Sequence, residues 1–118
     1  MPMQSEPVTA DDRGDIDVAA QMFRGFGDPT RLAILTELLA GEQRVVDLVA
    51  AVGGSQSNVS GHLACLKECG LVLDRPQGRA VHYRLASPAV VELLRQAEVL
   101  LGEIGENVAL CRNHRMPR

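Results

Sequence analysis

The sequence is short of aromatic side chains: it has no tryptophan, one tyrosine and two phenylalanines, 3% of its 118 positions. Any core must therefore be aliphatic. No apolar run approaches the roughly 20 residues that cross a bilayer, and the first residues, with Glu6, Asp11 and Asp12, lack the basic and apolar blocks of a secretory leader. We expect a cytoplasmic protein, where the three cysteines stay reduced and serve metal binding or redox sensing ahead of a structural disulfide. No Cys-x-x-Cys or His-x-x-His pair supplies a structural zinc framework. The three histidines are scattered and no base or oxyanion motif frames a cysteine nucleophile, so an enzyme is not expected. Internal repeats, low-complexity blocks and an interdomain linker are missing too.

What is present suits one compact domain, since 46% of positions are hydrophobic and the length is too small for two ordinary domains. The net charge of -3 gives no general attraction to nucleic acid, so the placement of the basic residues matters more than their number. Arg75, Arg79 and Arg84 gather around one expected hairpin, whereas Glu92, Glu98, Glu103 and Glu106 collect on the last expected helix. Residues 1–14 read as a mobile lead-in, 15–110 as the folded domain and 111–118 as a tail.

From Asp15, apolar residues at Ile16, Ala19, Ala20, Phe23 and Phe26 recur at helical spacing. Asp28-Pro29-Thr30 starts a second helix, with Asp as cap and Pro at the first helical position; Leu32, Leu35 and Leu39 line one face beside Ile34 and Leu38 until Gly41. A short helix over Val45 to Val52, the turn Gly53-Gly54, and a helix capped by Ser55 and closed by Gly70 form a helix-turn-helix pattern, with Val59, Leu63 and Leu66 as the inner stripe. Leu71 to Arg75 and Ala80 to Leu85 are strands around the turn Pro76-Gln77-Gly78-Arg79, with Val81, Tyr83 and Leu85 inward and His82 and Arg84 outward. The expected fold is mostly α with a small β-hairpin wing, a winged helix-turn-helix. After Ser87-Pro88, the residues Val90, Leu94, Ala97, Leu101, Ile104 and Val108 step by four, three, four, three and four, a heptad seam whose next step of three lands on Cys111. The helix either persists to Cys111 or, with Gly102, Gly105 and the polar tail against it, frays before that residue. So large an apolar face on a terminal helix implies a homodimer, joined through the N- and C-terminal helices.

Ser55, Gln56, Ser57, Asn58 and Ser60 crowd the N-terminus of the second helix of the pair. Short polar side chains there reach base edges and phosphates of double-stranded DNA. Arg75, Gln77, Arg79 and Arg84 of the wing join them, together with His62, which contacts phosphate or hydrogen-bonds within the fold and is not counted as a metal ligand.

Cys65 and Cys69 are four apart, which on a helix sets their Cβ atoms on one face at about 6 Å. Two ligands alone are a weak site, and Cys111, from the same or the opposite subunit, is the obvious third. Three thiolates form a soft site that favours Cd(II), Pb(II) or As(III), whereas Zn(II) usually wants a fourth donor. Two other readings stand beside this one: small apolar residues at the core edge, or a redox switch pairing Cys111 with one of the two, since adjacent helical turns hold Cys65 and Cys69 in poor disulfide geometry. Loss of the thiol protons on binding a divalent ion would leave net negative charge on the helix that must lie against phosphates.

The runs Gly27-Asp28-Pro29-Thr30-Arg31-Leu32-Ala33-Ile34-Leu35 and Ser55-Gln56-Ser57-Asn58-Val59-Ser60-Gly61-His62-Leu63 resemble the ArsR/SmtB family of metal-responsive winged-helix repressors, a likeness spanning Asp15 to Cys111. Within that family, Cys65 and Cys69 at the end of the recognition helix, with Cys111 in the C-terminal region, resemble the CmtR group of cadmium and lead sensors. The resemblance implies ligation by all three thiolates, the last donated across the dimer, and release of a detoxification operon by Cd(II) or Pb(II). Other arsenic and cadmium sensors carry a cysteine pair on helix three, where this chain has Arg44-Val45-Val46-Asp47-Leu48. Zinc and nickel sensors place histidines along the last helix, and here the tail residue His114 is the first histidine after the wing. As(III), which also accepts three sulfurs, stays open as the inducer, and no organic cofactor is expected.

Overall fold

The computed structural model describes residues 10–110, with side chains from Arg13 onward. Helix α1 (Ala10–Phe26) begins earlier than the periodicity from Asp15 indicates. Of the expected lead-in, residues 10–14 are thus helical and 1–9 lie outside the described residues. Residues 28–31 then serve two helix ends at once. The Asp28 carboxylate accepts the Arg31 amide at 3.0 Å, and Pro29 takes the first position of α2 (Pro29–Glu37). The Arg31 guanidinium reaches back to the carbonyls of Arg24, at 2.7 Å, and Gly25, at 3.4 Å, in the last turn of α1.

Helix α3 (Val45–Val52) fills the span expected of it and leads into α4 (Gln56–Glu68). Gly53 and Gly54 make the turn between them with φ of 86° and 90°, a region that side chains disfavour. Ser55 Oγ accepts the Asn58 amide at 3.0 Å and caps α4. At the other end the Leu71 amide bonds the Leu66 carbonyl at 2.9 Å and the Gly70 amide bonds the Lys67 carbonyl at 3.0 Å, a Schellman motif. This reversal drops Leu71 into the core beside Leu66, both buried.

The sheet has three antiparallel strands in the order β1-β3-β2: β1 (Gln43–Arg44), β2 (Val72–Gln77) and β3 (Ala80–Leu85). β2 runs through Pro76 and Gln77, so the hairpin turn is only Gly78-Arg79, with Gly78 at φ 64° in the first central place of a two-residue loop. β1 was not expected, because two residues are too few to show alternation. Tyr83 and Leu85 pack toward the core, as the alternation of β3 requires.

The buried core is wholly aliphatic, as the shortage of aromatics demands: Ile34, Leu35, Leu38, Leu48, Val59, Leu63, Leu66, Leu71, Val72, Val90 and Leu94. On α2 the buried face is centred on Ile34 and Leu35, while the expected Leu32 and Leu39 are only partly covered. The seam of α5 (Pro88–Glu103) is shorter than the heptad spacing indicates. A second Schellman reversal, Glu106 amide to Leu101 carbonyl at 2.8 Å with Gly105 at φ 94°, stops the helix, and Ile104 is left 66% exposed. Gly105, off the seam, thus decides where the helix ends. Val108 and Leu110 are not on a continued helix; they line an apolar groove of about 310 Å³ with Phe23, Phe26, Leu93 and Leu101. Among the described residues no helix is long and apolar enough to cross a membrane.

Because Leu63 has no exposed surface, Leu63→Ala is expected to lower the free energy of unfolding by about 2–5 kcal/mol. Urea denaturation at constant m-value measures this, and an unchanged midpoint would contradict the assignment of α4 as the core helix.

Candidate nucleic-acid interface and thiol pair

The α4 N-terminus presents Ser55, Gln56, Ser57 and Asn58 exposed, while Ser60 is half-buried one turn on. The Ser55 and Ser57 hydroxyls lie 3.5 Å apart. Gln56 lines a cleft of about 250 Å³ with Arg79 of the hairpin turn and Arg44 and Val45 at the start of α3. The recognition-helix start and the wing tip therefore share one concave surface, lined by a Gln amide and two guanidinium groups. Such donors suit base edges and phosphates.

The remaining candidates are placed less alike. Gln77, Arg79 and Arg84 are exposed on the wing. Arg75 is exposed but engaged: its Nε donates to Glu42 Oε2 at 3.1 Å and its Nη2 to Glu42 Oε1. Those bonds, with the nearby charges of Arg75, His82 and Arg84, hold the Glu42 carboxyl below the usual carboxylate range against the opposing effect of burial. His62 Nδ1 lies 3.9 Å from Asp28 Oδ2, so this histidine faces the cap of α2. Asp28 is held low chiefly by the Arg31 amide and in lesser part by His62. Arg44 and Glu42 escaped the sequence reading, because both belong to the entry into the unanticipated β1.

Cys65 and Cys69 do come together, half-buried on the last turns of α4. The Cys69 thiol donates to the Gln21 carbonyl of α1 at 3.2 Å. Gly25 permits this approach: a Cβ there would lie 2.7 Å from Leu71 Cδ1 and 3.4 Å from Cys69 Sγ. Burial, followed by the adjacent Cys65, pushes the Cys69 thiol up from its ordinary value, with Arg31 and Arg24 pulling weakly the other way. Among the described residues no group of three or more His, Cys, Asp or Glu side chains converges, so the pair stands as two donors. Cys111, the expected third, lies outside the described residues.

Comparison with known proteins follows this geometry. Residues 28–73, which hold α2, α3 and α4, match the model of "Bacterial regulatory protein, arsR family". Over 95 residues the chain is 37% identical to the "Probable mercury resistance operon repressor" of Streptomyces lividans, covering 80% of this chain and 76% of that one. The chain belongs to the arsR family. It is also 52% identical over 69 residues to the arsenical resistance operon repressor of Escherichia coli, 56% of this chain and 57% of that one. The regulator CmtR of Mycobacterium tuberculosis is 44% identical over 75 residues, 64% of each chain. Among solved structures, a homodimeric winged helix-turn-helix DNA-binding domain from Mycobacterium bovis aligns over 100% of both chains with a TM-score of 0.76 and 27% identity. The cadmium metal-sensor CmtR aligns over 65% of this chain and 80% of that one, with a TM-score of 0.57 and 43% identity. The fold of this arsR-family chain is therefore the winged helix-turn-helix, and its relatives are transcriptional regulators and not enzymes.

The raised thiol predicts a pH signature. Only the thiolate is nucleophilic, so alkylation of Cys69 by iodoacetamide in a Cys65→Ser protein is expected to be slower at neutral pH than that of an unfolded control, and to keep accelerating above the ordinary thiol range. Cys65 is absent in that variant, so the test reads burial, less the weak pull of Arg31 and Arg24, without the second thiol. Alkylation at the unfolded rate would contradict the packing of Cys69 against α1.

Proposed function

We propose that this chain is a homodimeric, metal-responsive repressor. It binds operator DNA through α4 and the wing, and is released when Cd(II) or Pb(II) is held by Cys65, Cys69 and Cys111. The observation that carries this reading is the juxtaposition on α4 of an exposed Ser-Gln-Ser-Asn start and two adjoining thiols at its end. The donor chemistry fits a soft ion, since two sulfurs on one helical face can grip one metal and a third thiolate completes a trigonal set. The cadmium metal-sensor CmtR, similar in fold and sequence, supports it. Identity to an arsenical resistance operon repressor supports As(III) as a second inducer.

The second copy is argued from the α1 and α5 surface. Phe23 is 58% exposed, Val99 52% and Leu100 60% beside the apolar groove, more than a lone soluble domain usually leaves to water. The homodimeric Mycobacterium bovis domain of the same fold supports closing that surface with a second copy. Residues of this chain also provide a route for coupling. A thiol that gives up its proton to bind metal no longer donates to the Gln21 carbonyl, so the end of α4 loses a bond to α1, a helix of the proposed dimer face. Negative charge gained at the same place opposes the approach of phosphates. A coupling of about 1–3 kcal/mol corresponds to a change of roughly 5–150-fold in affinity.

Titration of Cd(II) into the reduced protein is expected to produce a sulfur-to-metal charge-transfer band and to weaken binding to a duplex from its own promoter region at least about fivefold. Apparent metal affinity should rise with pH, because the raised Cys69 thiol must lose its proton to ligate. Cys65→Ser, Cys69→Ser and Cys111→Ser are each expected to retain duplex binding and lose the metal response. Equal duplex affinity with and without metal would refute the reading.

A further inference from the structure

The outer face of the wing carries a row of basic side chains. Arg44 of β1 and Arg75 of β2 are both cross-strand partners of His82 on β3, so the three project from one face in a line across the sheet. Arg84, two residues along β3, projects from the same face. The chain's own carboxylates close this row. Glu42 takes the Arg75 fork through both of its oxygens and lies 3.8 Å from His82 Nδ1, while Asp47 Oδ2 accepts Arg44 Nε at 3.4 Å. A guanidinium grips carboxylate and phosphate in the same two-point geometry. Glu42 therefore sits where the oxygens of a phosphate would sit.

We propose that Glu42 is an internal competitor for the DNA backbone: its carboxylate occupies Arg75 in the free protein and gives it up to a phosphate when the wing docks. The inference rests on reading α4 and the wing as the DNA-facing surface. Without Glu42 the charges of Arg75 and Arg84 would lose a nearby carboxylate that offsets them. The pair is solvent-exposed, so its strength is on the order of two- to fivefold in an equilibrium constant, weak enough for the dense charge of a duplex to displace it. Lowering the backbone affinity in this way makes the bound state easier to undo by a modest allosteric signal.

The test is a double-mutant cycle of Glu42→Gln and Arg75→Gln. It measures binding to a random-sequence duplex and to one from the chain's own promoter region, across a range of salt. Glu42→Gln is expected to tighten both by about two- to fivefold when Arg75 is present, and far less when Arg75 is Gln. Arg75→Gln should make the slope of log affinity against log salt shallower by about 0.9, the contribution of one phosphate contact. Equal tightening in both backgrounds would overturn the proposal in favour of a general charge effect. Weaker binding with a lower melting temperature in Glu42→Gln would overturn it in favour of a structural strap. A wild-type protein without salt-dependent duplex binding would instead overturn the DNA reading itself.

Discussion

Burial of one stripe on α4 is the constraint on which the rest of the structure depends. Val59, Leu63 and Leu66 have no exposed surface, and the Schellman reversal that follows adds Leu71 to the same cluster. With that face fixed, the rotation of the helix is fixed as well. The polar residues at its start have one direction in which to point, and the thiols near its end must meet α1. Two chemically unrelated surfaces thus share one helix of 13 residues whose rotation is set by its buried face.

The electrostatic arrangement follows from an acidic chain that meets a polyanion. A net charge of -3 leaves little long-range attraction, so the local setting of the guanidinium groups matters more than the total. Several of the chain's guanidinium groups are held internally. Arg31 caps α1, Arg44 bonds Asp47, and Arg75 bonds Glu42. Arg79, at the hairpin turn beside Gln56, and Arg84 on β3 are exposed cations of the wing.

The helix ends were legible because their chemistry is local. Asp28-Pro29, Ser55 and Ser87-Pro88 each satisfy amides a few residues away, and the structure places every one of these caps as the sequence indicates. What escaped depends on contacts distant in sequence. β1 exists only through pairing with β3, and the Glu42–Arg75 bond joins residues 33 apart. The length of the α5 seam stayed open in the sequence for a different reason. Apolar spacing reports which face is buried, whereas Gly105 decides where the helix stops, and the heptad steps and the off-seam glycines point to different ends. The pairing of Cys65 with Cys69 was legible from their spacing, but their seat against α1 required Gly25, whose missing side chain has no signature in a periodic pattern.

The reversal at Gly105 also brings the chain beyond the helix to the groove between α1 and α5. Leu110 is packed against the core there. In the three-thiolate reading proposed above, the residue that follows Leu110 is the third ligand. Under that proposal, whatever strengthens or loosens the hold on Leu110, including closure of a second copy over that groove, would tune the effective concentration of that thiol without touching a sulfur atom.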